Sequence, residues 1–232
     1  GGVYINNGDE KGAAIMDADI LGNVEIHDNK TDTDCGGLYM SGFDGTVSGN
    51  VSIADNVAAN IGGGVILTQR IGITTSSFTF SDDVEISGNE AFVAGGIILS
   101  GGCGATFADD ASITDNSVTG ISGGVHIAVN ATLTMKDRSV ISGNTAAVLG
   151  SGVIVFAPST LNVQDATQIG TSDTDNGIYF DSKTHATILA GENLLAGARI
   201  NVEGLEDGAA VGSLIAKRAD GTTAVTDESI YM

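Results

Sequence analysis

The stretch ISGNEAFVAGGIIL at residues 86–99 decides the fold, because the chain repeats its pattern several times. Close copies are IADNVAANIGGGVIL at 53–67, ITDNSVTGISGGVHI at 113–127 and ISGNTAAVLGSGVIVF at 141–156. Each copy contains an isoleucine, an asparagine three residues later, a short spacer, small residues and an apolar triplet. Internal repetition of this kind is the signature of a solenoid or another repeat architecture.

Each repeat unit contains three apolar-x-apolar triplets separated by glycine, asparagine and aspartate turns, with a basic period of 27–28 residues. Alternation with period two predicts strands. Three short strands cannot bury their inner faces alone, but coils stacked about 4.8 Å apart in parallel can. We therefore predict an all-β, right-handed parallel β-helix over residues 1–187, with three short strands per coil. Residues 188–232 are predicted to form a last coil and a C-terminal cap, or a linker to a further module.

The columns of the repeat predict which side chains face the core. In the strand after the glycines the first and third positions are apolar, as in Ile97 and Leu99, and should be buried. Threonine dominates the outward position of the second strand, for example at Thr79 and Thr106. The recurring asparagine is expected to take left-handed backbone at a corner and to stack its amide coil on coil.

The middle position of the first strand is expected to point outward, although most of its residues are apolar. An apolar stripe several coils long is unusual on a free surface, so it is a candidate partner-binding face. It would dock a second copy, a host or neighbouring-cell protein, or sugar rings stacked on its tyrosines. Alternatively, residues 68–73 or the C-terminal segment would cover it. The stripe consists of Tyr4, Tyr39, Ile66, Ile98, His126, Ile154 and Tyr179.

An acidic column follows the second strand. If successive coils stack, these carboxylates lie about 4.8 Å apart and repel one another. A Ca²⁺ ion between coils would relieve the repulsion, as would Lys136 and Arg138 alongside. The other interpretation is a row of solvated aspartates that cap turns. The candidate metal ligands are Asp82, Asp109, Asp137 and Asp165. No cofactor is otherwise required.

Composition narrows the function classes. A net charge of −20, with only nine Lys and Arg, argues against nucleic-acid binding and against anionic membrane surfaces. No run of residues is long and apolar enough to span a membrane. The three histidines occupy different columns, and no catalytic triad, P-loop or paired-carboxylate site is evident. We therefore expect no enzyme. We also expect two free thiols, at Cys35 and Cys103.

The paired glycines followed by apolar residues, as in GGLYM, GGGVIL, GGIIL and GGVHI, alternate with IHDN, IADN, ISGN and ITDN. Over about residues 1–180 this pattern resembles the repeats of chlamydial polymorphic outer-membrane proteins and related adhesin-like β-helix proteins. Isoleucine stands where the chlamydial repeats usually have phenylalanine.

The resemblance implies an extracellular or cell-surface module, part of a longer exported protein, that acts as a rigid stalk with a lateral interaction face. Two rival interpretations are a carbohydrate-active β-helix that binds or cleaves polysaccharide, and a purely structural spacer.

Overall fold

The structure is a computed structural model that describes residues 2–6, 17–69, 76–181, 187–190, 194–205 and 216–218. In these residues the chain forms short strands, and every strand pairs in parallel with its counterparts one coil away. The chain winds through about six turns of a β-solenoid. The predicted parallel β-helix is therefore confirmed.

The strands stack into four sheets, numbered I to IV in the order in which each coil visits them. Sheet I contains Val3–Asn6, Leu38–Ser41, Val65–Thr68, Ile97–Ser100, Val125–Ile127, Val153–Val155, Ile178–Phe180 and Val202–Leu205. Sheet II contains Ala18–Leu21, Gly45–Ser48, Ser77–Ser81, Gly104–Phe107, Thr132–Met135, Thr160–Val163, Thr187–Ala190 and Ala216–Arg218. Sheet III contains Val24–His27, Val51–Ala54, Glu85–Ser87, Ser112–Thr114, Val140–Ser142, Gln168–Ile169 and Arg199–Ile200. Sheet IV contains Lys30–Thr31, Val57–Ala58, Glu90–Val93, Ser117–Ile121 and Thr145–Ala146.

Sequence columns are physical rows in the structure. Thr79 pairs with Thr46 on one side and with Thr106 on the other. Sheets I, II and III are the three predicted strands of each coil. Sheet IV is an addition, formed by the spacer between the asparagine and the glycines. It escapes a pattern search because some of its strands are only two residues long.

The core lies between sheets I, II and III. The first and third positions of the central sheet I strands are fully buried, as predicted for Ile97 and Leu99. Phenylalanine rings lie in this core. Phe80 stacks on Phe107 with ring centroids 4.7 Å apart, and Phe43 meets Phe78 edge to face. Because each fully buried side chain of this size contributes about 1.5–3 kcal/mol, burial in this stack stabilises the fold.

The recurring asparagines form an amide ladder along the corner between sheets III and IV. Asn89 Nδ2 donates to Asn116 Oδ1 at 2.9 Å, and the backbone N–H of Asn89 donates to the same oxygen at 3.0 Å. Asn89 Nδ2 also donates to the carbonyl of Ile53 in the previous coil. The predicted stacking is confirmed. The ladder runs through Asn29, Asn56, Asn89, Asn116, Asn144 and Asn176.

The prediction that asparagine takes the left-handed backbone is wrong. The residue before it does so, at Asp55 with φ 56°, Gly88 with φ 64° and Asp115 with φ 56°. Glycine adopts the left-handed region at no steric cost, and aspartate adopts it more readily than most residues. The asparagine is thereby left free to turn its side chain inward and continue the ladder.

The predicted repeat alignment slips in the last coils. An alignment on the glycine pairs puts Asn176 in the place of a first glycine, but the structure places it in the amide ladder beside Asn144. The same alignment puts Thr187 in the column of Asn162, but the structure pairs Leu189, two residues later, with Asn162. Described residues beyond 187 continue sheets I, II and III. Most of the predicted cap lies outside the described residues, so the division at 187 stays a prediction.

Candidate interaction surfaces

The seven residues of the candidate stripe form one row on the outer face of sheet I. Each pairs directly with its equivalent in the next coil, from Tyr4 at one end to Tyr179 at the other. Their neighbours Val65 and Leu67 belong to the central core, whereas Ile66 belongs to a separate cluster. The row therefore lies on the opposite face of the sheet from the core.

The row points away from the core, as predicted, but its centre is covered and does not form a free stripe. Ile66 is 8% exposed, Ile98 is 9% exposed and Ile154 is fully buried. The cover comes from the loop that leads from sheet IV into sheet I. Val93, the last residue of a sheet IV strand, and Ala94, directly after it, pack against Ile66 and Ile98 in one small cluster. This cover differs from the two that were expected; residues 70–73 and most of the C-terminal segment lie outside the described part of the chain.

The same backbone conformation recurs in the cover loops of successive coils. The residue four positions before each of the five row residues from Tyr39 to Ile154 has positive φ, which folds the loop back over the side chain that follows. At Gly62 a Cβ would lie 2.4 Å from Cγ1 of Ile66, and at Gly150 it would lie 2.1 Å from Cγ1 of Ile154. A Cβ would therefore crowd the isoleucine at these two positions, whereas Ala94 occupies the same column before Ile98. The positive-φ column is Cys35, Gly62, Ala94, Ser122 and Gly150.

His126 is the one titratable side chain among the central, covered residues of this row. Its Nδ1 lies 2.9 Å from Oγ of Ser122 in the cover loop, and its ring centroid lies 4.7 Å from that of Phe156. Burial lowers the pKa of His126 to about 4. The imidazole is therefore neutral at pH 7 and serves as packing with one polar contact.

The N-terminal end of the row stays open. Tyr4 is 66% exposed and stacks on Tyr39, with ring centroids 4.5 Å apart and planes inclined by 11°. Tyr39 is half-buried and packs against the cluster around Ile66 and Ile98. Tyr4 is therefore the most exposed residue of the predicted face, whereas Tyr179 at the other end of the row is half-buried, like Tyr39.

The four candidate metal ligands form a row at the corner after sheet II. Each has positive φ, and each carboxylate from Asp109 onward accepts the backbone N–H of the aspartate one coil earlier. Asp109 N donates to Asp137 Oδ2 at 3.2 Å, and Asp137 N donates to Asp165 Oδ2 at 3.2 Å. This geometry explains Asp82, Asp109, Asp137 and Asp165 as residues that cap turns. It leaves calcium at this row as a prediction.

Basic side chains neutralise part of this acidic corner. Arg138 donates two hydrogen bonds to Asp110, from Nε at 2.7 Å and from Nη2 at 2.6 Å, and the pair lowers the pKa of Asp110. Lys136 lies 3.6 Å from Asp137. Within the described residues, no group of three or more His, Cys, Asp or Glu side chains has the arrangement of a metal site.

A second exposed apolar surface lies on sheet IV and its loops. Phe92 is 55% exposed and Val148 is 67% exposed. The sequence pattern does not single them out, because they stand in the spacer that reads as a turn. The sequence feature that could have found this surface is a large apolar residue in the spacer. Asn60 and Gly120 stand at the equivalent positions of neighbouring coils.

Three comparisons with known proteins place the chain in no family. No protein-family model, no curated protein and no solved structure matches it. No helix in the described part of the chain is long and apolar enough to cross a membrane.

Proposed function

We propose that the chain is a rigid, non-catalytic module of an adhesin-like cell-surface or secreted protein, which presents an interaction face along a β-helical stalk. The amide ladder carries the proposal. Five consecutive links each contribute a side-chain bond and a backbone bond to one buried Oδ1, so neighbouring coils are tied together at the same corner. A continuous buried ladder resists bending between coils, as a stalk requires.

The proposed interaction face is the stacked pair Tyr4 and Tyr39. An exposed aromatic ring supplies a flat apolar surface with a polar hydroxyl, which suits a sugar ring or an apolar side chain of a partner protein. The net charge of −20 favours partners that are neutral or cationic and disfavours nucleic acid. A second copy of the chain is a further candidate partner of the same face.

The main rival is a carbohydrate-active β-helix. The same tyrosine pair would then hold a polysaccharide for cleavage. Outward positions of sheet III are occupied by Glu25, Ser52, Glu85 and Ser112, with the two glutamates two coils apart. Two coil steps are about 9.6 Å, at or beyond the upper end of carboxylate separations in glycosidases. This spacing favours binding over hydrolysis.

A glycan and protein binding array tests the proposal, combined with an assay for polysaccharide cleavage. We expect binding to at least one glycan or protein, no cleavage, and loss of binding in Tyr4→Ser. Leu21→Ser is the matched control, because Leu21 is 59% exposed in the same coil but lies on sheet II. Cleavage of a polysaccharide would replace the proposal with its rival, and no binding at all would leave only the spacer.

The same array, repeated without calcium, tests the aspartate row. We propose that any calcium dependence arises from Asp109 and Asp137. Loss of binding in calcium-free buffer, reproduced by Asp109→Asn and Asp137→Asn, would support that site. Binding that is unchanged in both conditions would leave these aspartates as turn caps.

A further inference from the structure

Sheet IV, the fourth side of the solenoid, ends before the other three sheets and leaves a step in the surface. In the coil that contains Asn144, seven residues separate the ladder asparagine from Gly152 at the start of sheet I, and they include the last strand of sheet IV. In the next coil, Asn176 is followed directly by Gly177. The fourth side is therefore missing there, and Thr145–Ala146 is the end strand of sheet IV in the described part of the chain.

Both flanks of this end strand are capped by side chains from later coils. On one flank, Asn176 Nδ2 donates to the carbonyl of Asn144 at 2.7 Å. On the other, Glu203 accepts the backbone N–H of Gly150 at 3.2 Å and of Ser151 at 2.8 Å. These caps satisfy groups that the missing strand would have paired.

Glu203 reaches the step through a local irregularity of sheet I. The pairing register shifts between Ile178 and Tyr179, which places Glu203 at a bulge. A Cβ at Gly177 would lie 2.7 Å from the backbone nitrogen of Glu203, so glycine is required for the close approach.

Residues 145–149 lie between the two caps. Thr145, Ala147 and Val148 are exposed, and Val148 is 67% exposed. The N–H groups of Thr145 and Ala147 donate to carbonyls of the previous coil, at Asn116 and Val118. By the alternation of a parallel strand, the N–H of Ala146 points the other way, into the step. An exposed strand edge with a free N–H is a template for an added strand.

The walls of the step are acidic. Asp175 and Glu203 stand at its two flanks, and Asp173 is exposed nearby and ion-paired with Arg199. Asp175 accepts the N–H groups of Gly143, Thr171 and Asn176. These carboxylates favour a strand that carries Lys or Arg, since opposite charges attract across an edge.

We propose that the edge strand Thr145–Ala146 binds an extended basic segment of a partner protein as an added strand of sheet IV, with an apolar side chain of the partner against Val148. Main-chain hydrogen bonds at Ala146 hold the segment, and the flanking carboxylates select its charge. This surface is separate from the tyrosine pair, so the inference does not depend on the proposed stalk function.

The test is fluorescence anisotropy with the full chain and three labelled, end-blocked heptapeptides. One alternates Lys and Val, the second alternates Glu and Val, and the third alternates Lys and Pro. The Lys-Pro peptide carries the same charge as the first but lacks the N–H groups of every proline. We expect saturable, salt-sensitive binding of the Lys-Val peptide, at least tenfold weaker for both other peptides.

Two variants locate the binding. Ala146→Pro removes the N–H that faces the step and is expected to weaken binding of the Lys-Val peptide at least tenfold. Thermal unfolding checks that this variant is folded. Val148→Ser is expected to weaken it at least threefold and serves if the proline variant does not fold. Val129→Ser is the matched control, because Val129 is also exposed but lies at the corner between sheets I and II.

The proposal is overturned if the Lys-Val peptide shows no saturable binding. It is equally overturned if the Lys-Pro peptide binds as well, which would reduce the effect to bulk charge, or if neither variant weakens binding.

Discussion

The carboxylate of Asp55 occupies the space that a Cβ on Gly88 would take in the next coil: its Oδ1 lies 2.5 Å from that position. Asp115 has the same relationship with Gly143, at 2.2 Å. Both glycines have positive φ. From residue 54 to residue 144, the alternation of ADN or TDN with SGN therefore has a steric cause, because Asp55 and Asp115 fold over the next coil and leave room there for glycine.

This relationship predicts that Gly88→Ala lowers the free energy of unfolding by about 1–2 kcal/mol or more, through strain at positive φ and contact with Asp55. Asp55→Gly in the same chain should recover the part that arises from the contact. Gly22→Ala is the control, because Gly22 also has positive φ but has no atom within 4 Å of its Cβ position. Denaturant unfolding measures all four chains. Equal losses in the two alanine variants, with no recovery, would contradict the steric account.

The amide ladder predicts that the loss of stability on replacing an asparagine depends strongly on its position in the ladder. Asn116 donates to Asn144 Oδ1 and to the carbonyl of Ile86, and accepts from two nitrogens of Asn89. Asn116→Ala leaves these buried groups without partners, so we expect a loss of about 3 kcal/mol or more in unfolding free energy.

Asn29→Ala is the control for the ladder, because Asn29 is its half-buried first member. Its Nδ2 donates to Asn56 and to the carbonyl of His27. We expect a loss of about 1 kcal/mol there. If Asn116→Ala and Asn29→Ala lose the same unfolding free energy, the buried ladder is not what holds the coils together.

His126 predicts an acid-dependent loss of stability. Its pKa is about 4 in the folded chain and near 6.5 in the unfolded chain, so the unfolded chain takes up the proton first as the pH falls. The stabilisation from neutral His126 is therefore complete above pH 6.5 and is lost as the pH falls from 6.5 towards 4. The slope is at most about 1.4 kcal/mol per pH unit.

His126→Gln should flatten unfolding free energy against pH in that window. His27 is the control and has the opposite sign: a hydrogen bond to Asp28 raises its pKa, so its contribution is present at low pH and lost as the pH rises. His27→Gln should not flatten the acid loss. A pH profile that is the same in His126→Gln and in the unchanged chain would refute the assignment.

The two cysteines are expected to react slowly. Both thiols are free, as expected, and burial raises the pKa of each to about 12. Because the thiolate is the nucleophile, very little reactive form exists at pH 8. A disulfide-exchange reagent should label Cys35 and Cys103 much more slowly in the folded chain than in denaturant. Rapid labelling of Cys103 without denaturant would show that the core opens readily.

The sequence predicts the rows of the solenoid well, because residues such as Ile97 and Leu99 alternate with outward residues in every coil. It does not predict the cover over Ile66 and Ile98. That cover depends on positive φ at small residues such as Gly62, and a small residue in a spacer looks like an ordinary turn.

The end of the repeat is hard to predict for another reason. Asn176 stands directly before Gly177, so an alignment on glycine pairs assigns it to the wrong column. Only the hydrogen bond to Asn144 shows that it ends the amide ladder and that the fourth side of the coil is missing. The step at Thr145–Ala146 follows from that deletion and has no signature of its own in the sequence.

The claim on which the account depends is that equivalent residues of successive coils lie in line along one axis. Double electron–electron resonance between spin labels on the outer row of sheet III tests it, in a chain with Cys35→Ser and Cys103→Ala. Glu25→Cys with Val140→Cys spans four coil steps, or about 19 Å, and Glu25→Cys with Gln168→Cys spans five, or about 24 Å. We predict narrow distributions whose means differ by about 5 Å. Broad distributions, or a pair at 25 and 168 no farther apart than the pair at 25 and 140, would contradict the stacked solenoid.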